Sequence, residues 1–361
     1  MNQVQPPSLS IFRKRWRKFQ SLKRGYYSFL AILALYLVSF VLPLLVSNQP
    51  LVVRYQGEFY FPKLRFHSPA DFGLEAIGEP DYRKMRQQFA AAAEANWVLL
   101  PPYPYSPNES LLELEGVPPH PPSLEHPFGT DDRGRDVFAR LAYGFNISMT
   151  FALLVLFFSF GLGIAVGGWL GYFGGKWDIL GQRFIEVWSS LPFLYTIMIV
   201  SSIVVPIYLP GRSQLVQPSF WLLISIMSAF GWMGITYYIR GEFYREKAKD
   251  YVGAAIAMGA SDWTIMFKHI LPNAINPVVS FAPFAIVGNI GALVALDFLG
   301  FGLPAPTPSW GELIGQGMSF LTKWWLVFFP LAALFLTLLL IVLIGEAIRE
   351  AFDPKEFSRL R

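Results

Sequence analysis

The residues able to do chemistry in this chain are few, and their spacing argues against catalysis. Asp131, Asp132, Arg133, Arg135 and Asp136 form a dense mixed-charge group. Such a group could hold the charged end of a ligand, but it reads better as a network bracing the apolar run that begins at Ile147. His67, His120, His126 and His269 have no metal-ligand spacing, so no metal is inferred. The chain has no cysteine, which excludes disulfides and thiolate sites and leaves the redox compartment open. Ser, His and Asp occur without any nucleophile–base arrangement, so no catalytic residue is assigned. No GxxxxGK[ST] phosphate loop is present, so this chain should bind no cofactor and hydrolyse no ATP. Asn289 lies mid-run between Gly288 and Gly291. It either faces a pathway or hydrogen-bonds a neighbouring helix, and the second reading is preferred. Asp297 closes the same run ahead of Gly300, Gly302 and Pro304, which favours a helix-end role over a pathway role. With Phe301, these two are the pathway or gate candidates.

The most informative stretch is Asp250–Asn273, DYVGAAIAMGASDWTIMFKHILPN, a polar interruption between two apolar runs. Tyr251–Met258 is Ala-rich, and Gly259 suits the position just past a helix end. Ser261 suits an N-cap, with Asp262 in the first turn where the helix dipole favours it. A second short helix is expected over Asp262–Ile270, stopping near Leu271-Pro272 because proline opposes continuation. The small side chains of Ala254, Ala255 and Ala257 would let another surface approach, and Trp263, Ile265, Met266 and Phe267 would supply apolar area. The element is either a docking surface or an ordinary loop resting on the bilayer.

The elements that position these residues follow from hydropathy. The chain is 53% hydrophobic and 15% charged, with mean hydropathy +0.40, which indicates an integral membrane protein. Runs of ~20 apolar residues can span a bilayer. Six qualify: Tyr27–Val46, Ile147–Leu170, Val187–Leu209, Phe220–Ile239, Pro277–Leu296 and Trp324–Ile344. The first is too long for a signal peptide and lacks a cleavage site. Pro192 and Pro206 predict a kink or early end in the third. Lys and Arg crowd the N-terminal arm, the Arg240–Ala274 connection and the tail, which carries Arg349, Lys355, Arg359 and Arg361. The two short alternating connections hold only Arg212 and Lys323, and the nine Lys and Arg of the long segment 47–146 do not count against this because long segments translocate largely regardless of charge. The expectation is an all-α polytopic protein with six transmembrane helices and both termini cytoplasmic.

Residues 1–26 then form a cytoplasmic or interfacial arm, 27–46 the first span, 47–146 a periplasmic insert, 147–346 the core and 347–361 a cytoplasmic tail. The short helices of the polar connection would lie within 245–272. In the arm, Phe12, Trp16 and Phe19 fall at i, i+4 and i+7 among Arg and Lys. This reads as an amphipathic helix on the inner leaflet in contact with membrane lipid, and a nucleic-acid role is set aside because an apolar run follows directly. The insert is small and mixed. Leu51–Tyr55 and Glu58–Phe61 read as strands about a Gln56-Gly57 turn, Tyr82–Trp97 as helix, and Pro101–Pro127, with nine prolines, as an irregular return. It could meet a delivery protein, cap a pore or simply pack on a partner.

Residues Ala254, Ala255, Gly259, Leu271 and Pro272 match the EAA motif that the segment resembles, that of ABC-importer permeases. Gly253 departs from it, standing where that family usually has Glu. His126–Ser148 (HPFGTDDRGRDVFARLAYGFNIS), Gly171–Gly175 and Leu296–Gly317 (LDFLGFGLPAPTPSWGELIGQG) resemble the second permease of dipeptide and oligopeptide importers, and the similarity covers most of Pro127–Arg361. Leu51–Pro62 (LVVRYQGEFYFP) and the large insert resemble the YejE-type subfamily, associated with oligopeptide and microcin C uptake. The resemblance implies a permease of the bacterial inner membrane. It implies a homologous second permease as heterodimer partner, a periplasmic peptide-binding protein, and a cytoplasmic ABC ATPase that carries ATP and Mg. The ATPase would be contacted through Tyr251, Gly253, Ala254, Ala255, Met258, Gly259, Asp262, Leu271 and Pro272. A stand-alone proton-coupled transporter would need deep ionisable groups and an internal repeat, and neither is found. A membrane protein that merely displays an outer binding domain would leave Asp250–Asn273 unexplained.

Overall fold

The computed structural model describes residues 11–75, 78–92, 95–208 and 219–352; Arg212, Lys355, Arg359 and Arg361 lie outside them. In chain order the elements are α1 (Ile11–Ser21), α2 (Lys23–Ser39), α3 (Leu42–Leu45), β1 (Val52–Tyr55), β2 (Glu58–Tyr60), α4 (Tyr82–Ala92), β3 (Trp97–Leu99), α5 (Val137–Phe173), α6 (Gly175–Ser189), α7 (Phe193–Tyr208), α8 (Phe220–Lys247), α9 (Asp250–Ala257), α10 (Asp262–Thr264), α11 (Leu271–Ala274), α12 (Asn276–Phe298), α13 (Trp310–Ser319) and α14 (Trp325–Phe352). They form two compact units: Met1–Leu33, Met149–Pro304 and Phe335–Arg361 in the first, Ala34–Ser148 and Ala305–Leu334 in the second.

Among the described residues, α5, α8, α12 and α14 are each long and apolar enough to cross a membrane, and the bent pair α6–α7 adds a fifth if counted as one span. The bend is 77° and falls at Ser190–Pro192, where the sequence placed a kink, since proline disfavours helical backbone in the residue before it. The first apolar run is not one long helix. Its α2 has 17 residues and stops at Ser39, and α3 restarts with Pro43 in its first turn, where a missing N–H costs nothing.

In the first unit, α5 and α8 pack at close range because α5 carries a row of glycines. A Cβ on Gly163 would lie 2.2 Å from Ile235 Cγ2, one on Gly167 2.7 Å from the Thr236 carbonyl, and one on Gly171 2.6 Å from the Arg240 carbonyl. Small residues every fourth position let helix backbones approach in a membrane, where packing rather than water exclusion drives association. At the end of this seam, Asp178 of α6 accepts from Arg240 Nε at 2.5 Å and Nη2 at 2.7 Å, and from Tyr244 Oη at 2.8 Å. The amphipathic arm differs from its expectation. Phe19 of α1 is buried against Ala347 and Ala351 of α14, Lys18 pairs with Glu350 at 3.6 Å, and Arg15 donates to Asn276 Oδ1 at 2.9 Å. Trp16 keeps 41% of its surface exposed, so only part of the stripe packs on the chain's own last helix.

In the second unit, β1 pairs antiparallel with β2 on one side and β3 on the other. Gln56 and Gly57 both have positive φ, 51° and 89°, as a two-residue hairpin turn matched to strand twist requires. Val53 and Val98 face Phe72, Tyr82 and Met85, a core that the insert builds for itself. Helix α4 ends at Ala92, and Trp97, expected at the end of a helix, begins β3 instead. Beyond it, Arg83 makes a bidentate pair with Glu109 at 2.7 and 3.0 Å.

The charged group ahead of α5 is the bracing network that its composition suggested. Asp131 accepts from Arg135 Nε at 2.7 Å and from the backbone N–H groups of Arg133 and Arg135. Glu312 of α13 accepts from Arg135 Nη2 at 3.0 Å and Arg140 Nη2 at 2.5 Å. Asp136 receives Tyr103 Oη at 2.6 Å and lies 2.8 Å from His126 Nδ1. Burial alone would lower the Arg135 pKa, but Asp131 and Glu312 outweigh it and raise the pKa. Burial and the Asp136 carboxylate push the Tyr103 phenol far up, so it stays a donor. Arg140 is fully buried, and removing one partner of a buried pair is costly because a charge is left uncompensated. Glu312→Ala should cost about 3 kcal/mol, the low end of the range because Glu312 keeps some contact with solvent. Thermal melting of the detergent-solubilised chain checks this, with the exposed Met318→Ala of the same helix as a control.

Candidate functional site

The polar connection Asp250–Asn273 is rigidly built. Helix α9 ends in a full left-handed cap: Gly259 has φ +77°, its N–H reaches the Ile256 carbonyl at 2.9 Å, and Ala260 N–H reaches the Ala255 carbonyl at 3.1 Å. Ser261 then caps the next segment, its Oγ accepting from Thr264 N–H at 3.4 Å. That segment does not stop before Leu271-Pro272. Ile265–Ile270 widen into a π-helix, Pro272 falls in the first turn of α11, and helical structure continues to Ala274. A wider turn moves the carbonyl that a proline ring would strike, and proline's missing N–H is harmless at a first turn.

One side of the element belongs to the protein interior. Val252, Ala255, Ile265, Met266, Ile270 and Ala274 are buried with Ile235, Ile239 and Phe243 of α8 and Phe160 and Tyr172 of α5. Ala255 was expected on the approach surface with Ala254 and Ala257, but it is 1% exposed. Helical phase explains the difference: Val252 and Ala255, three apart, share the inward face, and Ala254 and Ala257 lie off it. Met266 and Ile265, expected to offer contact area, are likewise buried, and Leu271 packs partly against the same cluster.

The other side is open. Met258 is 80% exposed, and Ile256, Trp263 and Phe267 are also exposed. The Trp263 and Phe267 rings stack at 5.4 Å and 14°. Tyr251, Gly253, Ala254, Ala257, Gly259, Asp262 and Pro272 share this exposure. Asp262 accepts from Tyr172 Oη at 2.6 Å, which ties the open face to the end of α5. A Cβ built on Gly253 would meet nothing within 4 Å, so no neighbour in this chain requires glycine there.

A carboxylate that sequence reasoning passed over anchors the start of the element. Glu246, 2% exposed, accepts from Lys249 Nζ at 2.7 Å and Tyr251 Oη at 2.8 Å. Asn273 Nδ2 donates to Tyr251 Oη at 3.3 Å and to the His269 carbonyl at 3.0 Å. Partial burial and then the Glu246 carboxylate raise the Tyr251 pKa, so the phenol keeps its proton at neutral pH. No local pattern announces Glu246; only its three-residue spacing to Lys249 was visible. The pathway candidates lie elsewhere. Asn289 Nδ2 donates to the Ala152 carbonyl of α5 at 3.2 Å, the helix-to-helix bond preferred from sequence. Asp297 Oδ1 accepts from Leu303 N–H at 2.7 Å, and Gly300 and Phe301 N–H groups bond back to Asp297 and Leu296, so this carboxylate orders a helix end.

The family model described as "Binding-protein-dependent transport system inner membrane component" matches residues 163–357, more than half the chain and all of this element. The chain belongs to this family of ABC transporter permeases. It is 40% identical over 348 residues to the "Inner membrane ABC transporter permease protein YejE" of Escherichia coli, covering 96% of this chain and 98% of that one. It is 36% identical over 371 residues to the "Peptidoglycan transport system permease protein YejE" of Agrobacterium fabrum, covering 96% and 94%. It is 33% identical over 237 residues to the "Dipeptide transport system permease protein DppC" of Bacillus subtilis, covering 65% and 70%. The permease is thus a translocation component of the inner membrane and not an enzyme.

Because Gly253 is exposed mid-helix with open space around it, Gly253→Glu in this permease should stabilise α9 by roughly 0.5 kcal/mol through helix propensity alone. Hydrogen exchange at the α9 amides reads this out, and faster exchange in the variant would contradict it.

Proposed function

We propose that this permease carries oligopeptides inward as one of two homologous membrane subunits, driven by an ATPase that docks on the open face of Asp250–Asn273. The observation that carries the reading is the two-sidedness of that element. Its inner face is continuous with the cores of α5 and α8, and its outer face exposes Met258, Ile256 and the stacked Trp263–Phe267 pair, with Trp263 braced at 6.5 Å by the Trp169 ring of α5. Exposed aromatic anchors on a rigid support suit protein–protein contact. Tyr251, Gly253, Ala254, Met258, Gly259, Asp262 and Pro272 would complete the docking surface, with Ala255 and Leu271 supporting it from beneath. ATP and Mg would sit on the docked ATPase.

In this reading the first apolar run and the bent α6–α7 pair both cross, giving six spans with both termini cytoplasmic, as the Lys and Arg distribution favours. The insert then faces the periplasm, where a binding protein would deliver substrate. The match to the DppC relative favours peptides, and the YejE-type resemblance of Leu51–Pro62, alongside full-length matches to two YejE relatives, favours oligopeptides and microcin C-like peptides. A second substrate reading, fragments of peptidoglycan, is supported by the name of the Agrobacterium relative.

Trp263→Ala should remove about 2 kcal/mol of docking energy, roughly a thirtyfold loss of ATPase affinity, while the protein still inserts. The readouts are co-purification of the ATPase and ATP-dependent peptide uptake. Wild-type levels of both in Trp263→Ala and Met258→Asp would refute the docking face.

A further inference from the structure

The periplasmic insert carries an apolar tip whose position in the second unit points to a specific occupant. After β2 the chain turns sharply at Phe61-Pro62-Lys63-Leu64-Arg65, where the N–H groups of Leu64 and Arg65 both reach the Phe61 carbonyl, at 3.0 and 3.2 Å. Pro62 is buried beneath the turn, while Phe61, Leu64 and Phe66 project outward, Leu64 at 85% and Phe66 at 69% exposure. Two cations, Lys63 and Arg65, alternate with them. So large an apolar exposure on an ordered, hydrogen-bonded turn calls for a partner.

The location of the turn says which partner. From the end of α3 the chain runs away along β1, reverses at Gln56-Gly57 and returns along β2. The register pairs Val53 with Tyr60, so Phe61 comes level with Val52 and the following residues descend towards the end of the first apolar run. Lys63 Nζ closes this return by donating to the Pro43 carbonyl in α3. Around Pro43, the residues Leu37, Phe40, Val41 and Leu44 are all exposed. The tip therefore prolongs, at its outer end, the same apolar surface that the first run offers to lipid. Aromatic and aliphatic side chains interleaved with Lys and Arg suit the boundary between headgroups and acyl chains, where the apolar parts sink in and the cations reach phosphate.

We propose that the turn Phe61–Phe66 inserts Leu64 and Phe66 into the outer leaflet of the inner membrane, making the insert a membrane-anchored platform beside the first span. The proposal rests on the reading above that residues 27–46 cross the membrane. A headgroup-anchored insert holds whatever it presents to the periplasm at a constant height above the bilayer. It also ties the first span to the hairpin through one lysine.

The absence of cysteine makes the test clean. Leu64→Cys, Glu58→Cys and Leu35→Cys are each labelled with an environment-sensitive fluorophore in the full chain, together with the subunits that co-purify with it, in phosphatidylethanolamine–phosphatidylglycerol nanodiscs. Lipids bearing a nitroxide on the acyl chain should remove most of the emission from position 64, which should emit to the blue of position 58 and resist iodide. Position 58, at the far end of the hairpin, should show the reverse. If position 64 is as open to iodide as 58, or is shielded from both quenchers as by a protein partner, the anchoring is wrong. If position 35 escapes the nitroxide lipids, it is the crossing of the first run that fails, a separate result.

Discussion

The structure turns on one contact, the burial of Val252, Ala255, Ile265 and Ile270 against Ile235, Ile239 and Phe243. A polar connection between two membrane helices has no intrinsic reason to be stiff. Here its inward face is part of the same packed core as α5 and α8, and close-packed interiors move as units rather than deform. A partner pressing on Met258 or Trp263 therefore presses on the helices behind them. The left-handed cap at Gly259 and the bonds from Tyr251 and Lys249 to buried Glu246 fix the angle at which the element leaves α8.

What makes α5 and α8 a suitable support is also a close approach. Lipid gives apolar side chains no incentive to leave it, so helix association relies on contact and on polar links. The glycine row Gly163, Gly167, Gly171 supplies the contact, and Thr236 Oγ1, bonded to the Gly163 carbonyl at 3.3 Å, adds a polar link. The Asp178–Arg240 pair and the Tyr172–Asp262 bond secure the ends nearest the connection Asp250–Asn273. The same unit uses a different device for α1, which reaches the last helix through Phe19, Lys18 and Arg15.

The second unit meets a separate constraint: charges taken out of water must be paired and hydrogen-bonded. Asp131, Arg135, Arg140 and Glu312 are joined in one network, and Asp136 is held by Tyr103 and His126. The alternative that this group holds the charged end of a ligand loses its basis, because Asp131 is wholly buried and its oxygens accept from protein donors. The hairpin and α4 form their own small core around Phe72 and Met85. The insert therefore has the means to hold a fixed shape at the end of the first apolar run.

Much of this was legible in one dimension. Hydropathy marked the long helices, Pro192 marked the bend, Gln56-Gly57 marked the hairpin, and Gly259-Ala260-Ser261 marked the break between α9 and α10, because each depends on side-chain chemistry within a few residues. The family was legible from the ordered motifs between His126 and Gly317. What sequence alone did not determine depends on distant partners. Trp97 joins a strand because β1 offers it a free edge. Helix α13 is held by Trp310 donating to Leu141 and by Glu312 meeting Arg140, contacts about 170 residues apart in the chain. The π-helix at Ile265–Ile270 absorbs a proline that local rules would have made a stop. Ala254 and Ala255 are the same residue type side by side, yet one faces out and the other is buried. Composition cannot separate them; the direction in which α9 meets α8 does, and that direction exists only once the helices are packed.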